Sequence, residues 1–205
     1  MGIAGAVTGI VLAGGRSRRM GRDKAALVLD GRTLLQRAAD ALVAAGAREL
    51  VLVGAPGRAL PSVEVPVPVL ITHDPVEGQG PLQGILAGLE STPSPVALVV
   101  GCDMPYLEPG LLALLANRAL DGRRLVVPLH NGRPEGLCSA WRSDAVAVVR
   151  AHLEAGDRAV MSVAEDLDAL RLPPEAYAAV DPTGRSFANV NTPEDLTATA
   201  RALEA

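Results

Sequence analysis

Residues 12–24, reading LAGGRSRRMGRDK, gather the groups best suited to holding a polyanion. The adjacent Gly14 and Gly15 let backbone N–H groups approach a ligand closely and form an anion-binding concavity. Arg16, Arg18, Arg19 and Lys24 then place four positive charges within nine residues, in a chain whose formal net charge is -4. That density points to a polyphosphate, although a run of charge is also how a solvated loop reads. Arginine occurs eighteen times and lysine once, at Lys24. An arginine-rich composition can leave a single lysine by chance. A compact ammonium and a planar guanidinium are not interchangeable at a crowded phosphate, however, and the place of Lys24 in a glycine-rich loop favours a role there. The segment is not a Walker A loop, because Lys24 follows Arg22-Asp23 and precedes Ala25, and it is not GxGxxG either.

Other candidates stand where strands are expected to end. Asp103 follows an unbroken apolar run and precedes Met104-Pro105. A carboxylate fixed there suits magnesium, which is usually held by one or two carboxylates together with substrate phosphates and water; a strand-end aspartate is also a common turn former. His73-Asp74 closes another strand, and Gly78 to Gly80 lead into a helix N-terminus whose unpaired N–H groups favour anions or ribose hydroxyls. Asp74 reads equally as an acceptor for a hydroxyl or base and as a turn cap. Asn189 and Asn191 flank a strand end at the same edge, placed to touch a ligand or simply to turn the chain. There is no GxSxG elbow, and no cysteine or serine has a histidine partner nearby in sequence. Transfer of a group to a phosphate monoester needs no such machinery, because its second pKa of about 6 leaves it largely ionised at neutral pH. Such a reaction needs charge neutralisation and alignment, which Mg²⁺, lysine and arginine supply.

The elements that must position these residues alternate along the chain. Strands are expected at 9–12, 49–53, 69–72, 96–101, 125–128 and 137–141, with a strand end at 187–190. A helix capped by Thr33 carries Leu34, Leu35, Ala38, Ala39 and Leu42 on one face and ends at Gly46. Another opens with Pro81 and shows Leu82, Ile85, Leu86 and Leu89 at i, i+3, i+4 and i+7. Further helices are expected at 109–120, 143–153 and 159–167, and Thr192-Pro193-Glu194-Asp195 reads as a helix start. The Asp30-Gly31 pair reads as a turn. This alternation predicts an α/β fold, a three-layer α/β/α sandwich with a mostly parallel, Rossmann-like sheet. In such sheets ligands bind at the carboxyl edge of the strands, where all the candidate loops fall.

With 205 residues and 49% hydrophobic content, one domain spanning 1–205 is expected. The acidic balance offers no general attraction for nucleic acid or anionic membrane. No apolar run approaches the roughly 20 residues of a bilayer span, and the apolar start reads as a first strand rather than a signal peptide. Cys102 and Cys138 fit buried thiols of a reduced compartment better than a disulfide or metal knuckle. His73, His130 and His152 lack metal-ligand spacing and read as packed or solvated.

Taken in order, LAGGRSRRMGRDK, GPLQGI at 80–85, CDMPYL at 102–107, RPEGLC at 133–138 and NVNTPEDL at 189–196 resemble the molybdenum cofactor guanylyltransferases over nearly the whole chain. The resemblance implies a cytoplasmic enzyme of nucleotidyltransferase fold that joins GTP to molybdenum-molybdopterin, releases pyrophosphate and requires Mg²⁺. It implies nucleotide contacts at Leu12, Ala13, Gly14, Gly15, Gly54, Asp74 and Asp103, and catalytic, phosphate-directed roles for Arg19 and Lys24. It also implies a magnesium ligand at Asp103 and a pterin side near Asn189 and Asn191. Where some members carry an asparagine after the second strand this chain has Gly54, so guanine selection rests on backbone groups and other residues. Other molybdenum-cofactor biosynthesis proteins and molybdoenzyme chaperones are the implied partners. A cytidylyltransferase of the same fold is the nearest alternative, although relatives using CTP tend to carry LAAG where this chain has LAGG. A nucleotide-binding regulator is a further alternative, which would need neither Lys24 nor Asp103.

Overall fold

The computed structural model describes residues 7–14, 24–75, 80–190 and 195. Its centre is a sheet whose middle strands are apolar and buried on both faces. β1 (Val7–Leu12) lies between β4 (Glu49–Gly54) and β6 (Val96–Gly101), parallel to both, and β5 (Val69–His73) adds in parallel outside β4. Strand side chains alternate between faces. In β1, Val7 and Val11 join one core with α1 (Leu34–Ala44) and α3 (Pro109–Leu120). Ile10 joins the other core with α2 (Pro81–Glu90), α4 (Val146–Glu154) and α5 (Val160–Asp166). The result is the expected α/β/α arrangement.

The sheet order is β10-β7-β9-β6-β1-β4-β5. Its parallel character breaks at β9 (Cys138–Arg142), which runs antiparallel to both β6 and β7 (Leu125–His130). The chain reverses from β7 through Asn131-Gly132, with φ of 50° and 73°, into the two-residue β8 (Arg133–Pro134). Positive φ at both positions is what a tight hairpin requires, and Asn-Gly supplies it cheaply. The Asp30-Gly31 pair, at φ 50° and 70°, makes the same kind of turn between β2 (Val28–Leu29) and β3 (Arg32–Thr33).

Helix starts follow the expected chemistry. The Thr33 hydroxyl accepts from Gln36 N–H at 3.1 Å to cap α1, and Pro81 and Pro109 open α2 and α3, where a missing N–H costs nothing. The helix expected over 143–153 begins instead with a 3-10 turn, Ser143–Ala145. Besides the short strands β2, β3 and β8, the additional elements include β10 (Leu170–Leu172), parallel to β7, and the single-turn α6 (Pro174–Tyr177).

The strand end expected at 187–190 is not a strand. Arg185–Phe187 forms a 3-10 turn because the buried Asp181 carboxylate accepts the N–H groups of Arg185 and Ser186 at 3.0 and 3.1 Å. The segment beyond it is irregular and meets the sheet edge through Val190 N–H to Asp103 C=O, 2.8 Å. The helix start at Thr192-Pro193-Glu194 lies outside the described residues. Among the described residues no helix is long and apolar enough to cross a membrane.

α2 is seated by a missing side chain. A Cβ on Gly88 would lie 2.6 Å from Ile10 Cγ2 of β1, and Ile10 is fully buried. Gly88→Ala should therefore lower stability by about 1–2 kcal/mol, overpacking outweighing the roughly 1 kcal/mol gain in helix propensity. Urea unfolding measures the net effect; a variant as stable as the parent would show that α2 can shift without cost.

Candidate functional site

Four parallel strands end side by side, and their extensions are laced together. Ala13 N–H donates to Val53 C=O at 2.8 Å, Cys102 N–H to Leu12 C=O at 3.1 Å, and Asp74 N–H to Gly54 C=O at 2.9 Å. The extensions thus form a fixed rim. Gly14 must be small there, since a Cβ on it would stand 3.2–3.3 Å from the backbone of Gly54 and Ala55.

Across this rim Lys24 meets Asp103. Lys24 opens a 3-10 turn, Lys24–Ala26, anchored by the fully buried Ala25. Its Nζ lies 2.8 Å from Asp103 Oδ2, with the two side chains 21% and 22% exposed. Asp103 is placed by what precedes and follows it. A Cβ on Gly101 would lie 2.8 Å from Asp103 Oδ1, so only glycine leaves room for this carboxylate. The Arg37 guanidinium of α1 donates to Pro105 C=O at 3.0 Å and ties the loop down.

The pair borders a cleft of about 410 Å³, within the roughly 300–1,000 Å³ typical of small-molecule sites. Leu12, Ala13, Gly14, Lys24, Asp74 and Asp103, all nominated from sequence, line it together. So does Gly80, from the loop read as leading into an anion-favouring helix start, and so do Val53, Pro81, Gly84, Gly101, Cys102 and Leu137, which sequence reasoning missed as site residues. Gly80 and Pro81 carry a readable signal: they open α2, whose N-cap Gly80 has no side chain to cap it and whose first turn borders the cleft through Gly80, Pro81 and Gly84, an arrangement that favours an anion.

Gly54 does not line the cleft. A Cβ there would face His73 and Leu60, each 3.4 Å away. Asn189 is exposed and also off the lining, its amide donating to Phe187 C=O at 3.1 Å, but its neighbour Val190 is bonded to Asp103. Gly15, Arg19 and Asn191 lie outside the described residues.

Among the described residues no three histidine, cysteine or acidic side chains cluster as a metal cage. Asp103 alone fits a divalent ion that takes its remaining ligands from substrate phosphates and water, the usual habit of magnesium. Both cysteines are buried and neither is in a disulfide. Burial, reinforced by Glu135 and Asp181, pushes the Cys138 thiol far up, so it is a neutral core group. Glu135, in the loop before β9, is also raised by burial, against the pull of His130.

A mostly parallel sheet that gathers a glycine, a lysine, a carboxylate and a helix N-terminus around one cleft suits the phosphates of a nucleotide. The chain belongs to the MobA-like NTP transferase family, whose domain model matches residues 9–170. It is 37% identical over 195 residues to a probable molybdenum cofactor guanylyltransferase of Chloroflexus aggregans, covering 93% of this chain and 91% of that one. It is 32% identical over 201 residues to the molybdenum cofactor guanylyltransferase of Desulfosudis oleivorans, covering 98% and 97%. Molybdopterin-guanine dinucleotide biosynthesis protein A of Archaeoglobus fulgidus superposes with a TM-score of 0.79 at 24% identity, over 96% of this chain and 98% of that one. A 2-C-methyl-D-erythritol 4-phosphate cytidylyltransferase of Thermus thermophilus superposes with a TM-score of 0.70 at 16% identity, over 96% and 98%. The architecture is therefore shared by enzymes that differ in the base they use.

Gly101→Ala tests the placement of Asp103. It should lower nucleotidyl transfer at least about tenfold, as loss of a preorganised charge does, with the fold retained by circular dichroism. Unchanged turnover would show that the carboxylate need not sit where Gly101 allows it.

Proposed function

We propose that this chain transfers GMP from GTP to molybdenum-molybdopterin, forming the molybdopterin guanine dinucleotide cofactor and releasing pyrophosphate, with Mg²⁺ as cofactor. The observation that carries this reading is the Lys24–Asp103 pair in the cleft of a chain whose full-length relatives are named molybdenum cofactor guanylyltransferases.

In this reading the terminal phosphate of molybdopterin attacks the α-phosphorus of GTP, a new P–O bond forms, and the bond from the α-phosphorus to the bridging oxygen breaks. The acceptor is already ionised, so no side chain has to remove a proton. Asp103 would hold magnesium, which when bound supplies positive charge against the triphosphate. Lys24 turns from Asp103 to the phosphates and stabilises the charge building on departing pyrophosphate. Gly14, with Gly15, offers backbone N–H groups to the phosphates, the open first turn of α2 adds its dipole, and Arg19 adds a second cation. Asp74 accepts from the nucleoside. Guanine is chosen by the backbone of Leu12 and Ala13 rather than by a side chain at position 54, since Gly54 carries none. Asn189 and Asn191 are assigned to pterin contacts in this reading. A cytoplasmic location, and handover to molybdenum-cofactor biosynthesis proteins and molybdoenzyme chaperones, belong to the same reading.

Pyrophosphate release from each of the four nucleoside triphosphates, with Mg²⁺ and molybdopterin as acceptor, tests the assignment. GTP should be preferred, and a preference for CTP would overturn it. Lys24→Ala and Asp103→Ala should each reduce turnover by at least about a hundredfold. Near-normal turnover in either variant would remove that residue from the mechanism.

A further inference from the structure

His152, near the end of α4, has a carboxylate on either side. Its Nδ1 lies 3.1 Å from Asp157 Oδ2 and its Nε2 lies 2.9 Å from Asp166 Oδ2. An ionised carboxylate can only accept, so both contacts are hydrogen bonds only when both ring nitrogens carry a proton. The geometry therefore selects the imidazolium. Asp157 comes from the turn after α4 and Asp166 from the end of α5. On His152's own helix, Arg150 is engaged with Glu90 of α2 at 2.6 Å. The hydrogen bond to Asp157 raises the His152 pKa most; desolvation opposes it, and Asp166 adds to the rise.

Asp157 also builds the turn it belongs to. Its Oδ1 accepts Ala159 N–H at 2.9 Å, the Ser162 side chain bonds it as well, and its own N–H donates to His152 C=O at 2.9 Å. The chain enters this turn through Gly156 at φ 82°. The turn lies beside two glycines at the cleft, close enough that an added methyl group would meet it. A Cβ on Gly80 would stand 3.7 Å from Arg158 C=O, and one on Gly136 would stand 3.0 Å from Val160 Cγ1. Gly80 lines the cleft, and Gly136 immediately precedes Leu137, which also lines it.

We propose that His152 is a positioning residue for the cleft: as an imidazolium bridging Asp157 and Asp166 it holds the 155–160 turn against the start of α2 and the loop before β9, and on losing its proton it lets that turn relax. The functional part of this inference rests on the cleft being the GTP site. The direction with pH follows from the raised pKa. The clamp is complete below the ordinary histidine value of about 6.5 and is lost as pH rises through the higher folded-state value. Asp157, whose pKa is lowered first by the Ala159 N–H and then by His152, stays ionised throughout.

Calorimetric titration of GTP with MgCl₂ between about pH 6 and about pH 9, on the parent chain and on His152→Gln, tests the proposal. The titration of GTP itself is common to both proteins and cancels in the comparison. The parent should lose at least about threefold more affinity across this range than the variant, and its affinity at the alkaline end should approach that of the variant, as loss of a charge-assisted hydrogen bond implies. Amide exchange at Ala159 should be faster in the variant at low pH and converge with the parent at high pH. Parallel affinity curves with equal exchange would overturn the clamp. If neither protein binds GTP at any pH, the nucleotide reading fails instead, and the Ala159 exchange alone decides the clamp, equal rates overturning it.

Discussion

Lys24 Nζ and Asp103 Oδ2, 2.8 Å apart, join residues separated by 79 positions in sequence across the carboxyl edge of the sheet. Much of the surrounding architecture serves this meeting. Parallel β1 and β6 deliver the loop of Gly14 and the loop of Asp103 to the same edge, Ala25 pins the lysine's turn into the core, and Gly101 leaves the carboxylate its place. A partly exposed ion pair of this kind adds little to stability, about 0–1 kcal/mol once solvent screening is counted. Its value is positional. Opposite charges held ready beside a cleft can each exchange partner for a metal ion or a phosphate without the protein reorganising at the moment of reaction.

The sheet explains why the cleft lies where it does. All strands from β5 through β6 point their carboxyl ends one way, and the chain leaves β5 at that edge to begin α2 there before the helix runs back toward the start of β6. Backbone N–H groups at the start of α2 therefore meet the same space as Lys24. On the other flank the antiparallel β9 brings the 135–137 loop back to the edge, where Ser139 Oγ donates to Gly136 C=O at 2.9 Å and accepts from Trp141 Nε1 at 2.8 Å. That loop adds Leu137 to the cleft wall and gives the 155–160 turn something to press against.

The parts of this arrangement that sequence made legible are those where one short pattern carries the physics. Gly14 and the lone lysine were marked, and both line the cleft, the Pro81 start with its apolar stripe marked α2, and an apolar run ending at Asp103 marked the edge. What escaped depends on contacts between distant segments. β10 has three residues, too few for any periodicity, and forms because β7 offers an edge. The apolar look of 187–190 suggested a strand, yet Asp181 captures the backbone N–H groups just before it. Asn131-Gly132 was a readable hairpin signal that went unused. Gly101 was also on view, but its importance rests on the distance to an oxygen two residues ahead. Gly54 illustrates the converse: its position after a strand suggested a ligand contact, and its side-chain direction turns away from the cleft toward Leu60 and His73.

A crystal structure of the chain with GTP and manganese, the metal located by its anomalous signal, tests the central claim most directly. The account predicts the nucleotide in the cleft between Gly14 and the start of α2, manganese on the Asp103 carboxylate, and Lys24 moved from Asp103 to a phosphate oxygen. GTP bound elsewhere, or the Lys24–Asp103 contact intact with the metal remote from it, would contradict the account.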